Sequence, residues 1–434
     1  MFPLVSAASA GHGVAPEVSS TANGIGDVVV DIAHSAAARR AAVGDTSIGR
    51  TPVEAVPCGD MPMPLAAMAA EPWRELSRRA IEPNGYYLAD WELAVNATAR
   101  GRTDAAALCA WSDAGAVRLI GLMPVISLRR ACKIPLPALV SADPYGTLGT
   151  PLLDRADAQN AACELMRLAR QAGARALLLR DVTTDGAAIK VFAEALGKAG
   201  MTPCVLHSHA RACLDATRDP DELLREALGP KKLKELRRQR NRLAEHGEVA
   251  FEVARTPAEV AAALEIFLKL EASGWKARRG TALLQDDGDA AFIRRATQAL
   301  ATTGQCEIVT LRAGTTAVAA AIVTRHQDRA FYFKLGVDER FAKLSPGVQL
   351  TLDLTRHLCA DPAIRSADST ANAGHPMIDP IWRGRLAIGD VLIPLRANDP
   401  MVSLIHAALK LHRLCYEMAR RALRFIRSRQ EKPA

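Results

Sequence analysis

The feature that most limits the fold is an order of alternating strands and helices that occurs twice along the chain. In the second occurrence, strands are predicted at 249–254, 306–313, 316–325, 329–337 and 364–368, and helices at 256–271, 289–302 and 346–359. The first occurrence is looser, with strands at 105–110, 117–124, 176–180 and 204–208 and helices at 158–172 and 187–199. Strands that alternate with helices indicate a mixed α/β fold. Two similar blocks suggest a duplicated architecture.

The chain of 434 residues is long enough for two domains and flanking segments. The first segment, 1–62, is rich in Ala, Gly, Ser and Thr and is predicted to be a disordered tail. An N-terminal domain is predicted at 63–220 and a C-terminal domain at 248–397. A basic linker helix at 221–247 joins them, and a basic amphipathic helix at 398–434 follows.

The charge and the cysteines narrow the class of protein. A net charge of +8 favours anionic partners, namely phosphate-bearing cofactors, anionic lipid surfaces or nucleic acid. The nine Cys include no CxxC pair, so neither a metal site nor a disulfide framework is predicted. The start of the chain lacks the basic region of a secretory signal, and there is no apolar run long enough to span a membrane. The sequence therefore predicts a cytoplasmic protein.

Two basic segments admit several interpretations. The run from Lys231 to Arg242 could hold tRNA or a phosphate, or it could be the solvated face of a linker. The C-terminal helix carries an apolar stripe with basic residues beside it. Its stripe consists of Leu404, Ala408, Leu411, Cys415, Met418, Ala422 and Phe425. This helix could lie on the inner membrane, pack on the body of the protein or pair two subunits.

The segment from Ser345 to Gln349 is the most informative local motif. It follows a predicted strand and a loop that carries Arg340 and Lys343, and it opens a predicted helix. Ser345 can cap that helix, and Gly347 removes side-chain bulk where a ligand would approach the backbone. Free N–H groups and the helix dipole would then favour a phosphate. An ordinary helix start is the alternative.

A longer series of motifs resembles a known family. The series runs through Glu271–Lys276, Gly280–Ala282, Lys334–Gln349, Asp368-Ser369, His375–Asp379 and Trp382. It resembles the acetyltransferase domain of cellulose- and exopolysaccharide-associated bacterial proteins, a group of the GNAT superfamily related to Fem-type peptidyl transferases. The resemblance covers residues 65–397 and is strongest over 231–395.

The resemblance implies tandem GNAT-like domains, each with a mixed central sheet flanked by helices, joined by the basic helix. It also implies an N-acyltransferase that moves an acyl group from acyl-CoA to an amine of an envelope glycan precursor or a lipid. The first half would help to bind this acceptor. The glycine-bearing loop from Tyr145 to Pro151 could serve there, or it could be a simple turn.

Site residues follow from the same resemblance. Such a reaction needs a base for the amine and a donor for the oxyanion. The residues implied in catalysis are Glu271, Lys334, Asp368 and His375. Those implied in binding the acyl-CoA phosphates are Arg340, Lys343, Ser345, Gly347, Val348 and Gln349. Those implied in binding the acceptor are Trp275, Lys276, Asp379 and Trp382. Each also has a structural alternative, as a paired or capping acid, a loop histidine, a solvent-facing lysine or a core tryptophan.

One departure keeps the donor open. The usual GNAT loop has Arg or Gln, two residues, Gly, one residue, then Gly or Ala, whereas this chain has Ser345-Pro346-Gly347-Val348-Gln349. The donor could be acyl-CoA, an acyl carrier protein or, as in the Fem branch, aminoacyl-tRNA. Nucleic acid is expected as a partner only in that last case. A non-catalytic module in exopolysaccharide biosynthesis is a third alternative.

Overall fold

The computed structural model describes residues 62–112, 117–274 and 280–430. The tail predicted at 1–62 therefore lies outside the described residues except at its last position. Trp275 and Lys276 also lie outside them, as do part of the turn predicted between the first two long strands and the last four residues of the chain.

The first half of the chain forms seven strands and five helices, counting only described residues. The strands are β1 Met63–Pro64, β2 Ala106–Trp111, β3 Leu119–Ser127, β4 Ala138–Ser141, β5 Leu152–Leu153, β6 Ala176–Thr183 and β7 Cys204–Asp215. The helices are α1 Ala70–Arg79, α2 Ala89–Thr98, α3 Leu128–Cys132, α4 Ala158–Gln171 and α5 Ala187–Gly197.

The second half begins with a long helix and contains the remaining described elements. Its strands are β8 Val249–Ala254, β9 Cys306–Ala313, β10 Thr316–His326, β11 Arg329–Val337, β12 Ser366–Asp368 and β13 Gly384–Pro394. Its helices are α6 Pro220–Ala244, α7 Pro257–Ser273, α8 Asp287–Thr302, α9 Pro346–Cys359 and α10 Pro400–Gln430. Short 3-10 helices lie at Leu65–Ala67, Leu283–Gln285 and Glu339–Leu344.

Local sequence explains where several of these elements begin and bend. Helix α7 starts at a capping box, in which the Thr256 hydroxyl accepts from the Glu259 N–H and the Glu259 carboxylate accepts from the Thr256 N–H. Helix α6 is bent at Gly229, whose φ of +69° is outside the helical range. The Pro that follows has no N–H to continue the helical pattern there, so the bend is expected.

All thirteen strands belong to one mixed sheet. Its order is β1-β2-β3-β4-β6-β13-β7-β12-β11-β10-β9-β8, and β5 pairs with β3 beside this path. Two neighbouring pairs are parallel, β4 with β6 and β11 with β12, and the others are antiparallel. The mixed α/β fold predicted from the sequence is confirmed.

The two halves exchange a strand at the centre of the sheet. Strand β13, from the second half, pairs with β6 of the first half, while β7, from the first half, pairs with β12 of the second. The exchanged strands also pair with each other, from Gly384 with Cys213 to Leu392 with Cys204. The sheets of the two halves are therefore continuous.

Side chains of both halves also share a core. The buried rings of Tyr86 and Trp91 pack in one cluster with Phe267, Phe292 and Phe331 from the second half. The ring centroids of Trp91 and Phe292 are 5.1 Å apart at an interplanar angle of 86°, an edge-to-face contact. This cluster fixes the first half against the strands that carry the site described below.

Most long elements agree with the sequence predictions. Strands β9 and β11 and helix α9 have the predicted bounds, and the helices predicted at 158–172, 187–199 and 256–271 are present within two residues. Helix α2 and strands β4 and β13 were not predicted. Strand β4 has only four residues, and β13 contains Gly384, Gly389 and Asp390, which are rare in strands.

Candidate functional site

The parallel pair β11 and β12 opens into a cleft. The two strands pair over only three residues, from Arg329 with Ser366 to Phe331 with Asp368, and then diverge. The gap between them is a cavity of about 520 Å³. Its lining includes the following residues: Tyr332, Phe333, Lys334, Leu335, Val337, Ser345, Pro346, Gly347, Val348, Ser369, Thr370, His375, Met377 and Ile378. The lining is mostly apolar, and the start of helix α9 forms one end.

Strand β11 has a β-bulge in its pairing with β10, at a position whose residue lines the cleft. Tyr332 pairs with Val323 of β10, and Lys334 pairs with the next residue, Ile322, so Phe333 has no partner in the register. An extra residue of this kind interrupts the ladder and turns backbone groups and side chains away from the regular pattern. The bulge therefore takes Phe333, which lines the cavity, out of the regular register of the sheet.

The first turn of α9 presents backbone donors to the cleft. Pro346 is the first helical residue, and Gly347 and Val348 both line the cavity. N–H groups in the first turn have no acceptor within their own helix, and the helix dipole adds partial positive charge. The Gln349 N–H already donates to the Ser345 carbonyl, at 3.0 Å. An anion at this end would therefore meet the donors of Gly347 and Val348.

Two details of this helix start differ from the sequence interpretation. Ser345 has a left-handed backbone with φ of 53°, and its side chain makes no capping hydrogen bond, because capping requires an extended backbone. A Cβ on Gly347 would lie 2.9 Å from Leu335 Cδ2 and 3.2 Å from Val337 Cγ1. The glycine thus also lets α9 approach the apolar side chains of β11 that line the cleft.

Buried Glu271 forms an ion pair with Lys334, which lines the cleft. Lys334 Nζ lies 3.3 Å from Glu271 Oε1, and Glu271 Oε2 accepts from the Leu283 N–H at 3.0 Å. Glu271 is 2% exposed, whereas part of the Lys334 side chain faces a cavity. The structure therefore brings together two of the four predicted catalytic residues.

A second, polar cavity lies on the other side of Lys334. It measures about 280 Å³ and is formed mainly by the first half, where β4 and β6 diverge. Its lining includes Arg102, Ser141, Asp143, Tyr145, Gly146, Thr147, Gly149, Arg180, Asp181 and Lys334. Lys334 lines both cavities, which makes it the meeting point of the apolar cleft and the polar one.

Tyr145 is held firmly in this second cavity. Its hydroxyl donates to Asp289 Oδ2 at 2.6 Å, and its ring centroid lies 5.6 Å from Lys334 Nζ. The Arg102 guanidinium lies over the same ring, 4.2 Å from its centroid, and pairs with Asp143 at 2.9 Å. Burial, with help from the bond to Asp289, raises the pKa of Tyr145, so the group stays a neutral phenol.

Asp368 and Trp382, predicted in the site, make structural contacts beside the cleft. Asp368 is fully buried and accepts from Arg211 Nη1 at 3.2 Å and from the Thr370 N–H at 2.8 Å. The Trp382 indole N–H donates to Thr355 Oγ1 at 2.9 Å. Neither side chain is among those that line the two cavities.

The other predicted residues divide between the cleft and its surroundings. His375 lines the cleft, and its Nδ1 accepts from the Met377 N–H at 3.3 Å, while Asp379 accepts from the Gly374 N–H at 2.9 Å. The Gln349 side chain points to α6, where it donates to the Leu236 carbonyl at 2.8 Å. Arg340 pairs with Asp338 at 2.7 Å, and it and Lys343 are exposed outside the lining of the cleft.

Sequence reasoning missed the charged residues of the second cavity. Arg102, Asp143, Arg180 and Asp181 come from separate loops and strand ends of the first half. The available signal was the glycine-bearing loop after β4, but a strand of four residues gives too short an alternation to be recognised. The cavity becomes visible only once β4 and β6 are known to be parallel neighbours.

Comparisons with known proteins agree with this geometry. Residues 230–373 match the family model described as an acetyltransferase (GNAT) domain. The matched range contains Glu271, β11 with its bulge, the start of α9 and β12. The chain is therefore an acyltransferase with a GNAT-like fold. No curated protein matches the chain in sequence.

Several solved structures are similar to nearly the whole described chain. FemX is 10% identical, with 78% of this chain and 98% of that chain covered and a TM-score of 0.51. The C-terminal domain of a putative lysylphosphatidylglycerol synthetase from Agrobacterium fabrum is 15% identical, with coverage of 78% and 95% and a TM-score of 0.49. A tandem GNAT protein from the clavulanic acid biosynthesis pathway is 14% identical, with coverage of 78% and 99% and a TM-score of 0.36. At these identities the likeness to FemX shows a shared fold.

Proposed function

We propose that the chain is an N-acyltransferase that binds acyl-CoA in the cleft between β11 and β12 and an amine acceptor in the polar cavity of the first half. The observation that carries the proposal is that Lys334 lines both cavities and is paired with the buried carboxylate of Glu271. Two ligands, one in each cavity, would meet beside this pair.

The apolar cleft suits a thioester donor that ends in phosphates. Leu335, Val337 and Met377 offer an apolar wall to the pantetheine and acyl chain. The N–H groups of Gly347 and Val348 would hold the pyrophosphate at the start of α9. Arg340 and Lys343, exposed in the preceding turn, would add positive charge near this end.

The proposed chemistry uses the buried pair as a proton relay. The Glu271 carboxylate, which is buried behind Lys334, takes a proton from the acceptor amine through one water as the amine nitrogen bonds to the thioester carbonyl carbon. The N–H of Phe333, at the bulge and in the lining of the cleft, stabilises the oxyanion in this scheme. The C–S bond then breaks, and the thiolate takes a proton from the Lys334 ammonium. Transfer of the proton on Glu271 to Lys334 restores the pair.

The polar cavity suits an acceptor that carries charge besides its amine. Asp143 and Asp181 attract a protonated amine, and Arg180, which lines the same cavity near these carboxylates, offers a cation to an anionic group. An envelope glycan precursor or a lipid headgroup with a phosphate has both features. Because acyl-CoA is a cytoplasmic metabolite, we place the reaction in the cytoplasm.

A second candidate donor is aminoacyl-tRNA, as the Fem-like alternative requires. The observation that favours it is a cavity of about 280 Å³ between α6 and α9, lined by Arg225, Arg237, Arg240 and Arg356. Arginines around a cavity can hold phosphates of RNA, and such binding weakens steeply with salt. We rank it second because two of the four, Arg240 and Arg356, already pair with Asp353.

Calorimetric titration of the full chain with acetyl-CoA and longer acyl-CoAs tests the donor. We expect the chain to bind acyl-CoA whether or not the sample has been treated with ribonuclease. When amine acceptors from a cell extract are added, we expect acylated products, which mass spectrometry identifies. Binding of aminoacyl-tRNA without binding of any acyl-CoA would favour the second candidate. A folded chain that binds neither would overturn both.

A further inference from the structure

Only the first third of helix α10 is packed on the protein. Ile405 and Leu409 are buried, and they contact a cluster that includes Val140 and Leu392. Beyond Leu409 the described side chains are exposed or half-buried. Helix α10 ends at Gln430, so about 30 Å of helix extends past its last buried residue, at roughly 1.5 Å per residue.

Helix α10 carries an apolar stripe that starts in its packed part, runs into the extending part and does not continue the packed face. Leu404, Leu411 and Met418 recur every seven residues and are 51%, 61% and 60% exposed. Cys415, also exposed, lies between the last two. At about 100° per residue, this stripe lies roughly 120° around the helix from Ile405 and Leu409. The stripe is therefore a second apolar face, directed away from the part of the body on which α10 packs.

Basic residues accompany the stripe. From Pro400 to Gln430 the sequence has seven Lys or Arg and a single acidic residue, Glu417. Arg413 is paired with Glu417 at 2.8 Å, whereas Lys410 and Arg421 are exposed. A second copy of the same helix would bring the same excess of positive charge against it and would be repelled. A surface of negative charge would be attracted.

We propose that α10 lies on an anionic lipid bilayer, with the stripe of Leu404, Leu411, Cys415 and Met418 inserted at the level of the headgroups. None of the helices in the described residues is long and apolar enough to cross a membrane, so contact would be at the surface. An amphipathic helix with basic flanks binds in this way through its buried apolar area and its attraction to anionic lipid. The proposal is independent of the acyl transfer, because α10 does not line either catalytic cavity.

Co-sedimentation of the full chain with lipid vesicles tests the proposal. We expect binding to vesicles of phosphatidylcholine with phosphatidylglycerol, weak binding to phosphatidylcholine alone, and loss of binding at high salt. The variant Leu411→Ser/Met418→Ser should bind at least about tenfold more weakly. The control His412→Ser/Tyr416→Ser changes exposed positions of the same helix outside the stripe and should keep most of the affinity.

Further measurements separate the alternatives. Circular dichroism should show the same helix content in both variants, and binding of acyl-CoA should be unchanged in both. Equal affinity for anionic and neutral vesicles, or equal loss in the stripe variant and its control, would overturn the proposal. So would a wild-type dimer in sedimentation velocity that becomes a monomer in the stripe variant, since the stripe would then be an interface between copies.

Discussion

The two places where parallel strands diverge in the sheet share one backbone plan but differ in what fills them. Strands β4 and β6 pair over three residues and then separate, as β11 and β12 do. In the first half the gap is bridged, because the Ser141 hydroxyl accepts from the Arg180 N–H at 2.9 Å and the Gly149 N–H donates to the Asp181 carbonyl at 3.1 Å. In the second half an apolar cleft remains open.

The differences lie in a bulge and in the loop after the strand. Strand β4 pairs with β3 without a register shift, whereas β11 has the bulge at Phe333. After β4 the chain folds back into its own gap, so closely that a Cβ on Gly149 would lie 2.5 Å from the Arg180 carbonyl oxygen. After β11 the chain turns away and starts α9 at the mouth of the gap. One plan thus gives an apolar cleft in the second half and a polar cavity in the first, which we propose to hold the donor and the acceptor.

The largest effect is expected at the pair between the two cavities. Glu271→Gln keeps the shape but removes the base, so turnover should fall roughly a hundredfold or more. Donor affinity should change little, because the phosphates bind at the other end of the cleft. A fixed-time assay of thiol release measures turnover, and calorimetry with acyl-CoA measures donor affinity. Full turnover in this variant would show that the amine loses its proton elsewhere.

The loop that fills the first gap should respond to pH through a histidine of the second half. Buried His326 accepts from the Asn84 N–H through Nδ1 at 2.8 Å, and Asn84 Nδ2 donates to the Leu148 and Thr150 carbonyls. Burial lowers the pKa of His326 to about 4. The folded state therefore resists protonation between pH 6.5 and about 4, and stability should fall by about 3 kcal/mol as the pH is lowered through that window.

Chemical denaturation at a series of pH values measures this dependence. The variant His326→Gln can keep one donor and one acceptor but does not titrate, so its stability should be flatter over the same window. An equal slope in both proteins would mean that other groups cause the loss. The polar cavity of the first half would then not depend on the contact between His326 and Asn84.

The open cleft should be the part that a bulky residue can block. Gly347→Trp places a large ring among the side chains that line it, where even a Cβ would press on Leu335, so we expect acyl-CoA to bind about tenfold more weakly or worse and the protein to lose some stability without unfolding. Ala373→Trp is the matched control, because it lies in the nearby loop, is exposed and does not line the cleft. Calorimetry gives the affinities, and thermal unfolding checks the fold. Equal donor affinity in the two variants would place the donor elsewhere.

The smallest effect is expected at the polar contacts beside the first gap. Asp390 accepts from the Asp181 N–H at 3.0 Å, and burial raises its pKa to about 6. The folded state holds its proton more tightly than the unfolded chain, so this group's contribution to stability is present below pH 3.8 and is lost as the pH rises to about 6. Asp390→Asn should stabilise the protein by about 1 kcal/mol at neutral pH, since the side chain is partly exposed. Chemical denaturation of both proteins at pH 7 and below pH 4 should show a gain in the variant's stability only at pH 7.

The sequence indicated the second half better than the first, for physical reasons. Strand β11 and helix α9 are long, periodic and bounded by Pro or Gly, so local pattern identifies them. Glu271 and Lys334 were each predicted as catalytic residues, but their ion pair was not predicted. The pair joins the end of α7 to a bulged strand far along the chain, and local sequence does not indicate such a contact. The charged cavity was missed, since it depends on β4, a very short strand, and on neighbours that only the folded sheet brings together. Trp275 and Lys276 stay predictions.

The strand exchange has a consequence for how such a chain can be made. One edge of β6 pairs with β4, but its other edge has no partner until β13 has been synthesised, about 200 residues later. Pairings between residues so distant in sequence form slowly, because a long loop must close first. We therefore expect that a ribosome-bound fragment ending before β13 stays sensitive to protease, and that co-expression of the two halves as separate chains yields either a joint assembly or none. Because each half contributes a strand that pairs with the other half's sheet, removing either half would leave the other with an unpaired strand edge.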